Sequence, residues 1–182
     1  RDRLFDLIEE TPNLDWLVLT KRPQNVARLA RWKNNWPDNV WLGTTVELQK
    51  RAEELLPFLE AIPAKVRFIS AEPLLGPLKI EKWLQSTIDW VITGGESGPK
   101  ARPASPQWFT DLHAQCMRNE VAFHFKQWGD WAPGDGINML TAKSTARTVA
   151  DDGTEMVRVG KKVAGRMLGG QEWDQLPIVA QS

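Results

Sequence analysis

Glu96 stands directly after Gly94-Gly95, at the end of a short apolar run that begins at Ile88. Glycines let a chain turn with positive φ or approach a ligand closely. An acid delivered just after them, at the carboxyl end of a buried strand, sits where open α/β sheets and barrels keep their chemistry. Glu72 precedes Pro73, whose ring holds the residue before it extended and so fixes the direction of the carboxylate. A coordinating or hydrogen-bonding role follows. Thr44, Thr45 and Glu47 close the run that starts at Val40, Ser70 stands two residues before Glu72, and Lys126-Gln127-Trp128 closes Val121 to Phe125. Thr20-Lys21-Arg22 before Pro23 puts two cations in a loop at the start of a helix, whose free amides suit an anion. In each case the plainer alternative is a structural turn with solvated charges.

The candidate ligand-binding set is therefore Thr20, Lys21, Arg22, Thr45, Glu47, Ser70, Glu72, Gly94, Gly95, Glu96, Lys126, Gln127 and Trp128. It holds no metal-ligand spacing, and no catalytic role is assigned. The chemistry it suits is the binding of a small anionic ligand by cations, hydroxyls and directed carboxylates.

Five elements must position these residues. Apolar runs at Leu14–Leu19, Val40–Gly43, Val66–Ile69, from Ile88 and at Val121–Phe125 each end in polar residues. Their starts lie about 22 to 33 residues apart, the repeat of a strand with its crossover helix and loops. Because such crossovers are nearly always right-handed, five parallel strands would gather all five polar ends on one side. The fold class expected is α/β, a partial, open TIM-like β/α barrel over 1–128, followed by a loop-and-hairpin tail over 129–182 that packs on it as a lid.

Between the strands, Leu4, Phe5, Leu7 and Ile8 mark one face of a short helix ending near Thr11-Pro12. A helix after Pro23 carries Val26, Ala27, Leu29, Ala30 and Trp32 inward. The segment from about Leu48 to Ala61 is amphipathic, with Ala52, Leu55, Leu56 and Leu59 inside and Lys50, Arg51, Glu53, Glu54 and Glu60 on a solvated face. A shorter helix falls around Ile80–Leu84. Ser105-Pro106 reads as an N-cap and first helical residue opening a helix through Cys116, which lies on its apolar stripe as a packed thiol. His113 has no metal-spaced partner, and His124 alternates with Phe123 and Phe125 as a core histidine. Asp152-Gly153 between Thr145–Ala150 and Thr154–Val159 reads as a hairpin, and Gly169-Gly170 as a second turn.

With 182 residues the chain suits one sizeable core and a tail. Lys plus Arg equals Asp plus Glu at 23 each, which argues against non-specific coating of nucleic acid or anionic membrane. The lone Cys116 forms no internal disulfide, and no apolar run approaches about 18 residues, so no membrane association and a cytoplasmic location are the default. Ten Trp and no Tyr are spread along the chain, as core or lid residues. The chain begins Arg1-Asp-Arg in what looks like the middle of a β/α series.

Leu-Thr-Lys-Arg-Pro at 19–23, Val-Trp-Leu-Gly-Thr-Thr-Val-Glu at 40–47, Arg-Phe-Ile-Ser-Ala-Glu-Pro-Leu-Leu-Gly at 67–76, Trp-Val-Ile-Thr-Gly-Gly-Glu-Ser-Gly at 90–98 and Phe-Lys-Gln-Trp-Gly at 125–129 are specific blocks. With Val-Gly-Lys-Lys-Val-Ala-Gly-Arg at 159–166 and Glu-Trp-Asp at 172–174, the sequence resembles the uncharacterised phage protein family named for gene products thirty-seven and sixty-eight. The resemblance implies a radical-SAM-like partial TIM barrel. It also implies, upstream of this region, a cysteine cluster holding an iron–sulfur cluster beside S-adenosylmethionine. The chain departs from that pattern: Cys116 alone cannot supply the thiolates of a cluster. On this reading the sequence is a C-terminal portion that holds no cofactor itself, and whether it is an enzyme stays open. Gly94-Gly95-Glu96 resembles a short radical SAM motif but lies on a late strand, so that role is not carried over.

Three functions compete. The first is an enzyme portion whose strand-end residues bind S-adenosylmethionine or an anionic substrate. The second is a nucleic-acid module using Lys100, Arg102, Lys161, Lys162 and Arg166 beside aromatic residues, with zero net charge counting against it. The third is a barrel remnant that serves as a binding or structural protein. A barrel open at Leu14–Leu19 exposes a strand edge, so a homodimer joining those edges is also expected.

Overall fold

The computed structural model describes residues 1–33, 35–135, 137 and 146–178. Helix α1 (Asp2–Glu10) leads into β1 (Trp16–Thr20); β2 (Val40–Thr45), α3 (Gln49–Glu60), β3 (Arg67–Ala71), α4 (Glu81–Leu84), β4 (Trp90–Gly94), α5 (Pro106–Arg118) and β5 (Ala122–Gln127) follow. Among the described residues between β1 and β2 lie a 3₁₀ turn at Pro23–Asn25 and one helical turn, α2 (Val26–Leu29). The five strands form one sheet in the order β1-β2-β3-β4-β5, every pair parallel. This is the open, singly wound α/β arrangement expected of a partial barrel.

Each step leads to the neighbouring parallel strand, and the helices pack on one face of the sheet, as crossovers of a single hand require. The main core lies there. Leu42, Ile69, Ala71, Val91, Phe123 and Phe125 from the strands pack with Ala52, Leu56 and Leu59 of α3, Trp83 and Leu84 of α4, and Phe109, Leu112 and Cys116 of α5. The alternate strand residues form a second, smaller cluster on the other face, Trp41, Val66, Phe68 and Trp90, joined by Ile92 and Ala122. Gly43 is required there: a Cβ on it would meet the Phe68 ring at 2.3 Å. The aromatic ring takes the space that a side chain on β2 would need.

The segment after β5 builds a three-stranded antiparallel sheet from β6 (Trp131–Pro133), β7 (Arg147–Val149) and β8 (Glu155–Arg158), in the order β6-β8-β7. A short helix, α6 (Lys161–Ala164), and a small hairpin, β9 (Met167–Leu168) with β10 (Gln171–Glu172), complete it. Both expected turns, Asp152-Gly153 and Gly169-Gly170, close hairpins. Thr145 and the rest of the tail at 136, 138–145 and 179–182 lie outside the described residues. The tail covers the outer edge of β5, where Phe125 N donates to Trp173 O at 2.9 Å and Phe123 N to Gln175 Oε1 at 2.9 Å.

Several local expectations are corrected. In α1 only Phe5 and Ile8 are buried; Leu4 and Leu7 of the expected apolar face remain partly exposed. The helix expected after Pro23 shrinks to one turn with no buried residue, and Trp32 lies beyond it, donating from Nε1 to Glu9 Oε1 at 2.7 Å. Ser105 occupies the N-cap of α5 without a side-chain cap bond. The cap is delivered from the tail, where Asp152 Oδ2 accepts from Gln107 N at 3.0 Å.

Candidate functional site

Strands β1 to β5 run one or two residues further than their apolar runs, because Thr20, Thr45, Ser70, Gly94, Lys126 and Gln127 extend the ladder instead of turning out of it. Register then decides which side chains meet. On the face without helices, Thr45 pairs with Ser70, Ser70 with Ile92 and Ile92 with His124. One layer nearer the carboxyl ends, Glu72 leaves β3 beside Gly94 of β4 and Lys126 of β5.

Glu72 is the hub of that layer. Its Oε2 accepts from Lys126 Nζ at 3.0 Å and its Oε1 from Gln127 Nε2 at 3.1 Å. Gly94 lies between the partners. A Cβ there would stand 3.5 Å from Glu72 Cδ and 3.2 Å from the Gln127 carbonyl oxygen, so the glycine leaves the acid room to cross the strand. A register shift at Thr93/Gly94 brings Gln127 opposite Gly94, which is how two successive residues of β5 reach one carboxylate. The peptide between Glu72 and Pro73 is cis.

Glu96 belongs to a separate arrangement. Its Oε2 accepts from both the amide and Nε of Arg102 at 2.8 Å, and its Oε1 from Arg102 Nη2 at 2.8 Å. The Arg102 guanidinium holds the Glu96 carboxyl below its usual range, against a smaller upward push from burial. Glu96 therefore staples the loop 96–102. The tail holds the same loop: Arg158 Nη2 donates to Gly98 O and Pro99 O at 2.9 Å, and Trp131 Nε1 donates to Ala101 O at 2.8 Å. Gly95 is structural as well, donating to Gln127 O at 2.9 Å and passing so close that a Cβ would lie 1.8 Å from the Trp128 carbonyl oxygen.

At the β1 end, Lys21 Nζ lies 3.7 Å from Glu47 Oε1, with Lys21 largely exposed and Glu47 largely buried. Thr20, Lys21 and Arg22 also line a separate cavity of about 580 Å³ on the helix side, walled by Phe5, Ile8, Val26 and Trp32. Behind Arg22 stand the 3₁₀ turn and the four-residue α2, a shorter helix than the one whose N-terminus was expected to meet an anion. Trp128 faces the core with Phe109 and Phe125, and its Nε1 donates to Met167 O at 2.8 Å. It ties down the tail. A further cavity of about 750 Å³ opens at the opposite end of the sheet around Arg67, Asp89 and Glu120, away from every candidate residue.

The sequence reading overlooked His124 as a site residue. It is half-buried in the row of Ser70 and Ile92, its ring edge-on to Trp90 at 6.2 Å. Burial lowers its pKa, Arg166 and Lys126 lower it further, and Asp174 and Glu72 oppose them. The signal was present in strand alternation, which puts residues 124 and 126 on one face.

Among the described residues, no group of three or more His, Cys, Asp or Glu could hold a metal ion. Cys116, the single cysteine of the sequence, is packed inside α5 with its thiol pushed up to about 12 by burial, so this chain's residues do not fit an iron–sulfur cluster. Of the cations considered for nucleic acid, Arg102 is engaged by Glu96, and Arg166 lies 3.3 Å from Glu172 and 3.8 Å from Asp174. No helix among the described residues is long and apolar enough to cross a membrane.

The chain belongs to an uncharacterised family, described as Protein of unknown function (DUF5131), whose model matches residues 1–177. No curated protein and no solved structure matches it.

Proposed function

We propose that this DUF5131 member is a portion of a radical-SAM-like, phage-related protein that binds S-adenosylmethionine or a related carboxylate-bearing substrate at the carboxyl ends of its strands. The observation that carries this reading is the Glu72–Lys126–Gln127 group spanning Gly94. It is an acid with two donors, set above a polar row of Thr45, Ser70 and His124. Charges of both signs side by side suit a zwitterion better than a bare polyanion. The ammonium of an amino-acid moiety would take Glu72, and its carboxylate would take Lys126, exchanging one charge-assisted bond for two.

When bound, S-adenosylmethionine would supply an electrophilic sulfonium carbon. The chain's own residues bind and orient: Glu72 and Lys126 fix the amino-acid end, while Thr45 and Ser70 offer hydroxyls. The reaction is not assigned. The iron–sulfur cluster of the family resemblance finds no ligands in this chain, and no step is derived through it.

The test is titration of the chain with S-adenosylmethionine by calorimetry, with Glu72→Gln and Lys126→Met in parallel. Each variant should weaken binding by about tenfold to a hundredfold, the worth of a hydrogen bond to a charged group. Affinity unchanged from the parent chain in both variants, or no binding by the parent chain, would remove S-adenosylmethionine from this site.

A further inference from the structure

The cavity of about 750 Å³ lies at the amino ends of β3, β4 and β5, the opposite end of the sheet from Glu72. Its size is that of a small-molecule pocket, about 300 to 1,000 Å³. Three backbone segments wall it, and each is fixed. Ile88 N donates to Trp83 O and Asp89 N to Arg67 O, both at 2.9 Å, which holds the entry to β4. Glu120, with a φ of 55°, stands between α5 and β5, and the next amide, Val121 N, donates back to Cys116 O at 3.0 Å. Gln175 N donates to Phe123 O at 3.2 Å, and its Oε1 accepts from Phe123 N at 2.9 Å. The outline of the cavity is therefore set by hydrogen-bonded backbone.

Its lining is apolar with one exposed imbalance of charge. Leu84, Ile88 and Val121 are buried side chains of the wall. Among the described lining residues the charged ones are Arg67, Asp89 and Glu120, two acids against one cation. Asp89 is half-buried and forms no ion pair within 4.0 Å among the described residues. Its Oδ2 accepts from the Arg67 amide at 2.8 Å, which leaves Oδ1 without a hydrogen bond from the described residues. The Arg67 side chain is committed elsewhere, Nε donating to Ile62 O at 2.8 Å. Burial pushes the Asp89 carboxyl above its usual range, against the opposing amide and charge of Arg67. A partly desolvated acid with no cation in contact has lost water that no partner replaces.

We propose that this cavity binds a small organic cation, an amine or amidine on a compact apolar body, with its charge at Asp89 Oδ1 and its body against Leu84, Ile88 and Val121. One added positive charge brings the lining to neutrality, and its N–H groups give Asp89 a charge-assisted hydrogen bond. An anion would instead meet two acids.

Three compounds of one shape and different charge test this: benzamidine, benzamide and benzoate, titrated against the 182-residue chain and followed by nuclear magnetic resonance. Benzamidine should bind with a Kd on the order of millimolar, as its size allows, and about tenfold tighter than benzamide. It should move the amide signals of Asp89 and Glu120, and benzoate should bind weakest. Asp89→Asn keeps an acceptor for the Arg67 amide and removes the charge. This variant should bind benzamidine about tenfold more weakly and benzamide unchanged, a difference that a purely structural role of Asp89 would not produce. The comparison of the three compounds on the parent chain decides the matter even where the variant fails to fold. The proposal is overturned if benzamide or benzoate binds as tightly as benzamidine, or if benzamidine does not bind at tens-of-millimolar concentration. Signals that move only at the other end of the sheet, or a folded Asp89→Asn variant with unchanged affinity for benzamidine, overturn it equally.

Discussion

Lys126 Nζ on β5 donates to Glu72 Oε2 at 3.0 Å, two strands away, over a glycine on β4. The pair is partly exposed, with about half of the lysine side chain in solvent, so solvent screening leaves it about 0 to 1 kcal/mol of stability. Glu72→Gln and Lys126→Met should therefore shift the urea midpoint little while changing ligand binding. A large loss of stability in either variant would mark the pair as structural.

Adjacent glycines should respond differently. Gly94→Ala puts a methyl 3.2 Å from the Gln127 carbonyl oxygen, a tight contact that a small strand shift relieves, at about 1 kcal/mol. Gly95→Ala drives its methyl to 1.8 Å from the Trp128 carbonyl oxygen. Backbone collides with backbone there, and about 2 to 3 kcal/mol should be lost. Comparable urea midpoints for the two variants would contradict the placement of the β4–β5 exit.

Asp152 joins the tail to the body. Partial desolvation raises its pKa, but hydrogen bonds from the amides of Thr154 and Gln107 outweigh it and bring the carboxyl down to about 2. A depressed acid stabilises the fold above its unfolded value of 3.8, and that contribution is lost as pH falls toward 2. Asp152→Ala should cost about 1 kcal/mol, as for loss of a helix cap, and should flatten this acid limb. Hydrogen exchange at Gln107 and Thr154 provides the local check.

Both histidines oppose acidification. His113 lies with its ring centroid 3.9 Å from that of Trp173 and 4.9 Å from that of Phe123, and burial lowers its pKa from 6.5. Burial and then Arg166 lower that of His124. Below pH 6.5 the unfolded chain binds protons that the folded chain refuses, so stability is complete above 6.5 and declines as pH falls. The urea midpoint read by tryptophan fluorescence should drop between about pH 7.5 and about pH 5.5. His113→Phe should reduce the slope; an unchanged midpoint in the parent chain would show that the rings are solvated.

The amino-acid sequence by itself determined the repeated β/α units, the parallel order they impose and the helix faces that cover one side. These follow from apolar periodicity and right-handed crossovers, both local properties of the chain. It also determined that Leu55, Leu56 and Cys116 are core residues. Tertiary structure alone decided how the polar residues divide. Glu72 and Lys126 are 54 residues apart, and only strand register and the shift at Gly94 bring them together. Glu96 looked equivalent in sequence, but the folding back of its loop gives it to Arg102. Trp128 and Gly95 simply follow a strand in the sequence; only the fold shows Trp128 packed in the core and Gly95 passing close to the Trp128 carbonyl. Asp152, not Ser105, caps α5, because a cap can be supplied by any acceptor that the chain brings to the amide, however distant in sequence.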